Sequence, residues 1–432
     1  MTAQPRQALE FLLAARACEL EDLRALTHTV HLVEAVAGFV HCLQGERGLS
    51  SLLLARADPS VRDRRQAQMG DSDAALATLN ARVQAMDITL AHGGHGARLF
   101  SRLALALQAV QALPGLREQV QAGRFDGPQS TTAYSRLVRS WLSVVFEAAD
   151  LAGDADVSRL LVALFNVSHS KEQVGQERAL GSALFASGRI DEEARHQVQD
   201  LIDTQQRGLA SFAHFAPPSL QLGHAAAHGA DTSDAGDARA RLRRLLLAPS
   251  LHGALNTELA RPWFDACTEH METLRQWELD LLLELRRLCA DKLALLERAQ
   301  AELRVVFAQG APTPSPERAL LSLAASGAGS ELEVQWQARL GQTAPGALGP
   351  ELARHVMELV QQQAERLQQV TAELDEARAS LQHRKLIERA KGLLMAQAGH
   401  TEEEAYQALR RHAMQQGRRV VEVAEDLLQR TH

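Results

Sequence analysis

Apolar residues return every three or four positions along most of the first 305 residues, as in Leu281, Leu282, Leu285 and Leu288. That spacing gathers them on one stripe of a helix and leaves the opposite face polar. The pattern predicts helices over 6–27, 30–56, 71–90, 97–112, 129–152, 157–187, 190–214, 236–248 and 256–307. The strings AHGGHGA (91–97), AGRFDGP (122–128) and FAPPSLQLGHAAAHGAD (215–231) break the period and read as loops. AQGAPTPSP (308–316) combines proline, glycine and small polar residues without any period, so it reads as a linker, and GQTAPGALGP (341–350) as a second one. Residues 317–339 between them are compatible with one helix. After Pro350, the residues Ala353, Val356, Val360, Gln363, Leu367, Val370, Leu374, Ala377 and Leu381 take alternating a and d places of a heptad repeat. Such a run is a coiled coil, and therefore a homodimer, or one long helix lying on the body.

Composition narrows the class. Ala, Leu, Gln, Glu and Arg, the strong helix formers, dominate, while aromatics are only 4% of the chain, which points to an all-α protein. A net charge of −7 over 432 residues argues against a chain that coats nucleic acid along its length, but not against one small basic domain. The cysteines, Cys18, Cys42, Cys267 and Cys289, are far apart with no C-x-x-C pair, as expected of reduced thiols in a cytoplasmic protein. MTAQPRQALE lacks the basic and apolar regions of a signal peptide. No unbroken apolar run approaches the ~20 residues of a membrane span, LDLLLEL (279–285) being short and charged, so no membrane partner is expected.

The end of the chain is punctuated as a compact unit. A helix through LQHRKLIERAKGLLMAQ stops at Gly399, a suitable C-terminal glycine, and Thr401 with Glu404 makes a T-x-x-E capping box for the next. That second helix, EEEAYQALRRHAMQQ, ends before Gly417, and a third, RRVVEVAEDLLQ, sets Val420, Val423, Ala424 and Leu427 on one face. Between 384 and 419, eight basic residues (Arg384, Lys385, Arg389, Lys391, Arg410, Arg411, Arg418 and Arg419) stand against Glu388 and Glu402 to Glu404, a local net charge of +4 in a chain that is acidic overall. Charge alone leaves two readings open, a solvated helix face or a footprint for a phosphate backbone.

A second signal lies in the N-terminal half. LQGERGLSSLLLA (43–55) has an echo in GQERALGSALFA (175–186), and their alignment sets Glu46 on Glu177, Arg47 on Arg178, Leu49 on Leu180 and Ser51 on Ser182. The echo reads as an internal repeat of two helix bundles. An arginine in a bundle interior is always charged and offers five donors in a planar fork, so it needs a carboxylate or a bound anion. The residues leave both open, although the adjacent Gly, Ser and Ala leave room beside the fork.

Both signals resemble known families. HRKLIERAKGLLMAQAGHTEEEAYQALRRHAMQQGRRVVEVAEDLL closely resembles the ANTAR family of RNA-binding antitermination domains, and the resemblance covers 378–430. It implies a coiled-coil helix leading into a three-helix bundle, with paired hairpin loops of a leader RNA as partner. The implied contacts are Arg384, Lys385, Arg389, Lys391 and Gly392, with Arg410 and Arg411 next; the cations meet phosphates and the glycine permits close backbone approach. Tyr406 is open to base stacking or to core packing. The repeat resembles the QxERG signature of the NIT domain, an all-helical nitrate- and nitrite-sensing module, as do VGQERALGSALFASG (174–188) and PWFDACTEHMETLRQWELDLLLEL (262–285). That resemblance covers about 30–290 and implies two stacked four-helix bundles with one small anion pocket between them. On this chain it points to Arg47 and Arg178, with a further arginine among Arg239, Arg241, Arg243 and Arg244, of which Arg243 is favoured.

The domains expected are a sensor over 1–305, a linker over 306–350, a coiled coil over 351–380 and the RNA-binding unit over 381–432. The function expected is a one-component regulator that binds leader RNA hairpins when nitrate or nitrite occupies the sensor. The alternative is a constitutive RNA-binding antiterminator whose N-terminal body takes a protein or another small anion. H-E-x-x-H, G-x-S-x-G, P-loop, dinucleotide and kinase signatures are all missing, so no enzyme is expected. No metal and no cofactor is expected either, only the anion as effector; His92 and His95 read as part of a solvated glycine loop.

Overall fold

The structure is a computed structural model, and it describes residues 6–55, 59–86, 96–220, 238–248, 255–308, 385–387, 389–395, 402–416 and 418–429. The described residues are helical throughout, joined by turns, which establishes the all-α class. The expected coiled coil over 351–380, the second linker, the capping box at Thr401, and His92 and His95 lie outside the described residues.

The helices are α1 (Arg6–Ala55), α2 (Pro59–Gln84), α3 (Gly96–Val110), α4 (Leu113–Gln121), α5 (Gly127–Leu151), α6 (Ala155–Ser187), α7 (Glu192–Phe215), α8 (Ala238–Leu247) and α9 (Ala260–Ala308). A C-terminal group follows, with helical residues 385–387 and 389–395, then α10 (Glu402–Gln416) and α11 (Val420–Gln429). Three departures from the expected elements have physical causes. The predicted pair 6–27 and 30–56 is one helix, because Val30, Leu32, Val33 and Val36 are fully buried and packing overrides the weak propensity around Thr27–Thr29. Helix α2 begins at Pro59, not at 71: proline is pre-set for a first helical turn, and the helix is anchored by the buried polar side chain of Arg65 where apolar periodicity is thin. Helix α4 lies in a segment for which neither helix nor loop was expected, since Pro114 and Gly115 obscure a nine-residue helix that buries Leu113, Leu116 and Val120.

Elsewhere local chemistry and boundaries agree. Asp126 caps α5 by accepting from the Gln129 amide (2.7 Å), and the Gln129 side chain returns a bond to the Asp126 amide, a full capping box. Asp191 caps α7 through the Ala194 amide (2.8 Å). Gly123 and Gly188 follow α4 and α6 at φ +63° and +66°, the left-handed conformation that ends a helix most easily at glycine.

Two compact units are distinguished. One contains the start of α1, the corner 153–155 and the end of α9; Arg24 pairs with Glu297 (2.9 Å) and Lys292 with Asp154 (2.7 Å) there. The larger contains the rest of α1 and α9, α2 to α8 and the C-terminal helices. Its core is built on α5, where Tyr134, Leu137, Val138, Trp141, Val144, Val145 and Ala148 return at helical spacing and are all buried. Trp141 meets Phe39 of α1 edge to face (centroids 5.8 Å apart), and Phe212 of α7 stacks on Trp277 of α9 (5.3 Å). In the C-terminal group Ala390, Leu409, Ala413, Val423 and Ala424 form a separate small core, with Ile387, Leu394, Val420, Leu427 and Leu428 packed against it.

Two stretches, Leu13–Leu54 and Gly96–Gln121, are long and apolar enough on average to cross a membrane, against the expectation drawn from unbroken runs. The reason is that helix-wide averages admit scattered charges. The first carries the buried Glu46 and Arg47 and the second is interrupted between α3 and α4, so neither is a plain apolar rod.

Candidate anion site and basic C-terminal face

The two copies of the E-R motif lie on α1 and α6, and their glutamates do the same work. Glu46 is fully buried and receives Arg117 of α4 as a fork, Nε to Oε1 (2.8 Å) and Nη2 to Oε2 (2.9 Å), with the Tyr134 hydroxyl donating to Oε1 (2.7 Å). Glu177 is also fully buried and receives Arg243 of α8 as a fork, Nε to Oε1 and Nη2 to Oε2, both 2.6 Å, with Gln205 of α7 donating to Oε2 (2.7 Å). Each motif glutamate is thus neutralised by an arginine 71 or 66 residues further on. Paired bidentate contacts of this kind lock helices in register.

The motif arginines turn the other way, toward each other's helix. Arg47, 1% exposed, donates from Nη1 to Glu172 Oε1 (2.5 Å) and to Ser135 Oγ (2.7 Å), while its buried Nη2 makes no hydrogen bond among the described residues. Arg178 donates from Nη1 to Thr268 Oγ1 of α9 (2.9 Å) and lies over the Phe264 ring (4.6 Å), with no ion pair among the described residues. Burial, and then the Arg47 charge, push the Arg178 guanidinium down to about 10. The approach is reciprocal: Arg178 Nη2 rests against Gly48 and Arg47 Nη2 against Gly175, positions where a Cβ would stand only 2.7 Å and 2.1 Å from them. Trp263 of α9 seals this side, its Nε1 donating to the Arg178 carbonyl (3.1 Å) over Gly181, where a Cβ would meet the indole at 2.3 Å.

Of the arginines named from sequence, the structure brings Arg47 and Arg178 together, whereas Arg243 holds Glu177. Arg239 is buried beside it and shares Gln205 (3.5 Å). Sequence reasoning missed Glu172, whose Oε1 also accepts from Gln176 (2.9 Å) and whose Oε2 accepts from Gln44 (2.9 Å). It missed Arg117 as well. The signal available was the duplication itself, since Arg117 stands to Glu46 roughly as Arg243 stands to Glu177.

Next to Glu172 lies a second buried charged group. Lys171 is fully buried and hydrogen-bonds Glu278 of α9, which also takes Arg275 (3.1 Å). Burial pushes the Lys171 amine down. Burial alone would raise the Glu278 carboxyl, but Lys171 and Arg275 together hold it below its usual value. His41 of α1 is depressed to about 4, by burial first and then by Lys171 and Arg275.

On the C-terminal group, Arg389, Gly392 and Arg411 are exposed. Lys391 is buried to 8% exposure with its amine 6.0 Å from the centre of the Tyr406 ring, and Arg207 of α7 reaches the same ring at 5.5 Å. Tyr406 is half-buried between these cations. Lys385 lies 3.7 Å from Asp150, and Arg410 lies 3.7 Å from Asp200 and 3.6 Å from Asp203. Arg384 is outside the described residues. The four cysteines are free, and no His, Cys, Asp and Glu cluster with metal-site geometry occurs among the described residues.

The described residues form a helical body with two buried, neighbouring arginines and a small basic helical domain, and comparison with known proteins gives the class: a sensor protein carrying an RNA-binding unit. Residues 38–286 match the nitrate and nitrite sensing family, NIT, and residues 375–428 match the ANTAR domain. The chain belongs to the NIT family and carries an ANTAR domain at its C-terminal end; neither is a family of enzymes. It is 30% identical over 432 residues to the nitrate regulatory protein of Klebsiella oxytoca, covering 99% of this chain and 96% of that one. It is also similar to the structure of the NasR transcription antiterminator, with a TM-score of 0.58 and 28% identity over 98% of this chain and 99% of that one.

Proposed function

We propose that the chain is a one-component, nitrate- or nitrite-responsive regulator of transcription antitermination, with the anion held between Arg47 and Arg178. One observation carries the site: among the described residues, Arg47 keeps a buried donor with no acceptor while facing a second buried arginine that lacks an ion pair. A buried guanidinium in that condition is stabilised by a bound anion. Nitrate is planar and singly charged, with three acceptor oxygens that suit two planar forks, and nitrite presents a similar edge. The family membership and the kinship to a nitrate regulatory protein support the same ligand.

The output is RNA binding by the basic C-terminal face, the partner being a leader transcript with paired hairpin loops. Unstacked loop bases are readable, whereas the A-form major groove is not. Asp150, Asp200 and Asp203 compete with RNA phosphates for Lys385 and Arg410, and an anion that favours one arrangement of the sensor over another shifts that competition. The heptad run over 351–380 supplies a homodimer, and a regulator that meets both nitrate and a nascent transcript works in the cytoplasm.

Calorimetry with nitrate on the full chain and on Arg47→Ala tests the sensor: binding to the first and at least tenfold weaker binding to the second is expected, and equal binding rejects Arg47. Gel shift of a leader hairpin with and without nitrate tests the switch. An unchanged affinity would leave a constitutive RNA binder.

A further inference from the structure

We infer that Glu172 sets the charge of the Arg47–Arg178 site, and thereby restricts it to singly charged oxyanions. The inference rests on the site proposed above and concerns what that site rejects. Its starting point is the sorting of buried charges. Glu46 is neutralised by Arg117 and Glu177 by Arg243, so the motif glutamates contribute nothing to the space the motif arginines face. One layer away, Lys171 and Glu278 cancel, Arg275 reaches solvent beside them, and His41 is neutral at physiological pH. Arg239 shares Gln205 with Arg243. Glu272, which acts on Arg178 from α9, is exposed and screened. Around the two facing guanidinium groups this leaves Arg47, Arg178 and Glu172, two positive charges against one negative, with the buried Arg65 held on Ser50 and the buried Arg239 on Gln205.

Glu172 is built to stay where it is. It is fully buried, and its carboxylate accepts from Arg47 Nη1, Gln176 and Gln44, three donors from two helices. It engages only one terminal nitrogen of Arg47 and leaves Nη2 to a ligand. A monovalent oxyanion therefore brings the charge of this trio to zero with Glu172 still in place. A sulfate or a doubly charged phosphate would leave one buried negative charge uncompensated, which a low-dielectric interior penalises steeply. Shape alone is a weaker filter, because tetrahedral oxyanions also present two acceptors to a guanidinium edge.

The test compares nitrate and sulfate binding by calorimetry on the full chain and on Glu172→Gln and Glu172→Asp. Wild type is expected to prefer nitrate by at least about 100-fold, Glu172→Gln to narrow that ratio at least tenfold, and Glu172→Asp, which keeps the charge, to retain it. A Glu172→Gln protein that binds nitrate and keeps the wild-type ratio overturns the inference while leaving the nitrate site standing. Wild type that binds no nitrate overturns the site and the inference together. Should Glu172→Gln not fold, Ser135 gives an independent route, since its hydroxyl lies 2.7 Å from Arg47 Nη1. Ser135→Asp adds one negative charge there and Ser135→Asn adds the same bulk without it. Nitrate affinity at least tenfold weaker in Ser135→Asp than in Ser135→Asn is expected; equal affinities overturn the inference.

Discussion

Arg47 and Gly175 are in contact between α1 and α6, so close that a Cβ on the glycine would stand 2.1 Å from Arg47 Nη2. The first prediction follows from that contact. Gly175→Ala displaces the end of a buried guanidinium that Glu172 and Ser135 hold at its other nitrogen, and nitrate affinity is expected to fall at least tenfold in calorimetry. Alanine is better than glycine in a helix interior by roughly 0.5–1 kcal/mol, which offsets part of the displacement. The melting temperature is therefore expected to change little, so that binding and stability separate.

The forks on the two motif glutamates are expected to govern stability. Arg117→Met or Arg243→Met leaves a fully buried carboxylate without its cation, at a cost of about 3–5 kcal/mol. The double variant Glu46→Gln with Arg117→Met removes both charges and is expected to recover most of the loss. Urea denaturation monitored by circular dichroism measures all three, and an additive double variant would show that the fork is not a coupled pair.

Acid sensitivity is expected from His41. Its folded-state value of about 4 lies below the ordinary 6.5, so the unfolded chain binds the extra proton first as pH falls. Stability is complete above about pH 6.5 and declines down to about pH 4, by at most about 3 kcal/mol for this group. Glu278, held below its usual value, adds a further loss at the acid end. His41→Gln is expected to flatten thermal stability between pH 6.5 and 5 relative to wild type.

The contacts between acidic sensor side chains and the basic face have modest strength. Pairs at 3.6–3.7 Å with a partly exposed arginine are worth up to ~1 kcal/mol together. Asp200→Asn with Asp203→Asn is accordingly expected to raise hairpin affinity without nitrate by about twofold to fivefold, read by gel shift, and to leave affinity with nitrate unchanged.

The sequence carried the class and the motif repeat, because both are local. Helix formers and three-four spacing are enough to establish an all-α chain, and two strings 131 positions apart align by eye from Glu46 to Ala186. What the motifs touch was not legible. Arg117 sits in PGLREQVQ, where a proline and a glycine in the first turn hide a short helix from the apolar period. Glu172 carries no local sign of its role, since a glutamate two turns before an arginine is commonplace, and only the approach of α1 and α6 gives it Arg47. For Arg243 the spacing was informative and the facing was not: Arg239, Arg241, Arg243 and Arg244 follow one another at about 200°, 200° and 100° around α8, and a helix turned by one residue would send Arg244 to Glu177 instead.

The cushioning of each motif arginine by a glycine of the other helix means that neither half owns the site. An anion seated between Arg47 and Arg178, as proposed, would touch both helices at once, and its grip would depend on how far apart α1 and α6 stand. The proposed site is in effect a gauge of the spacing between the two helices that carry the E-R motif. Any substitution that widens that seam, however remote from Arg47, is expected to weaken anion binding by the same route.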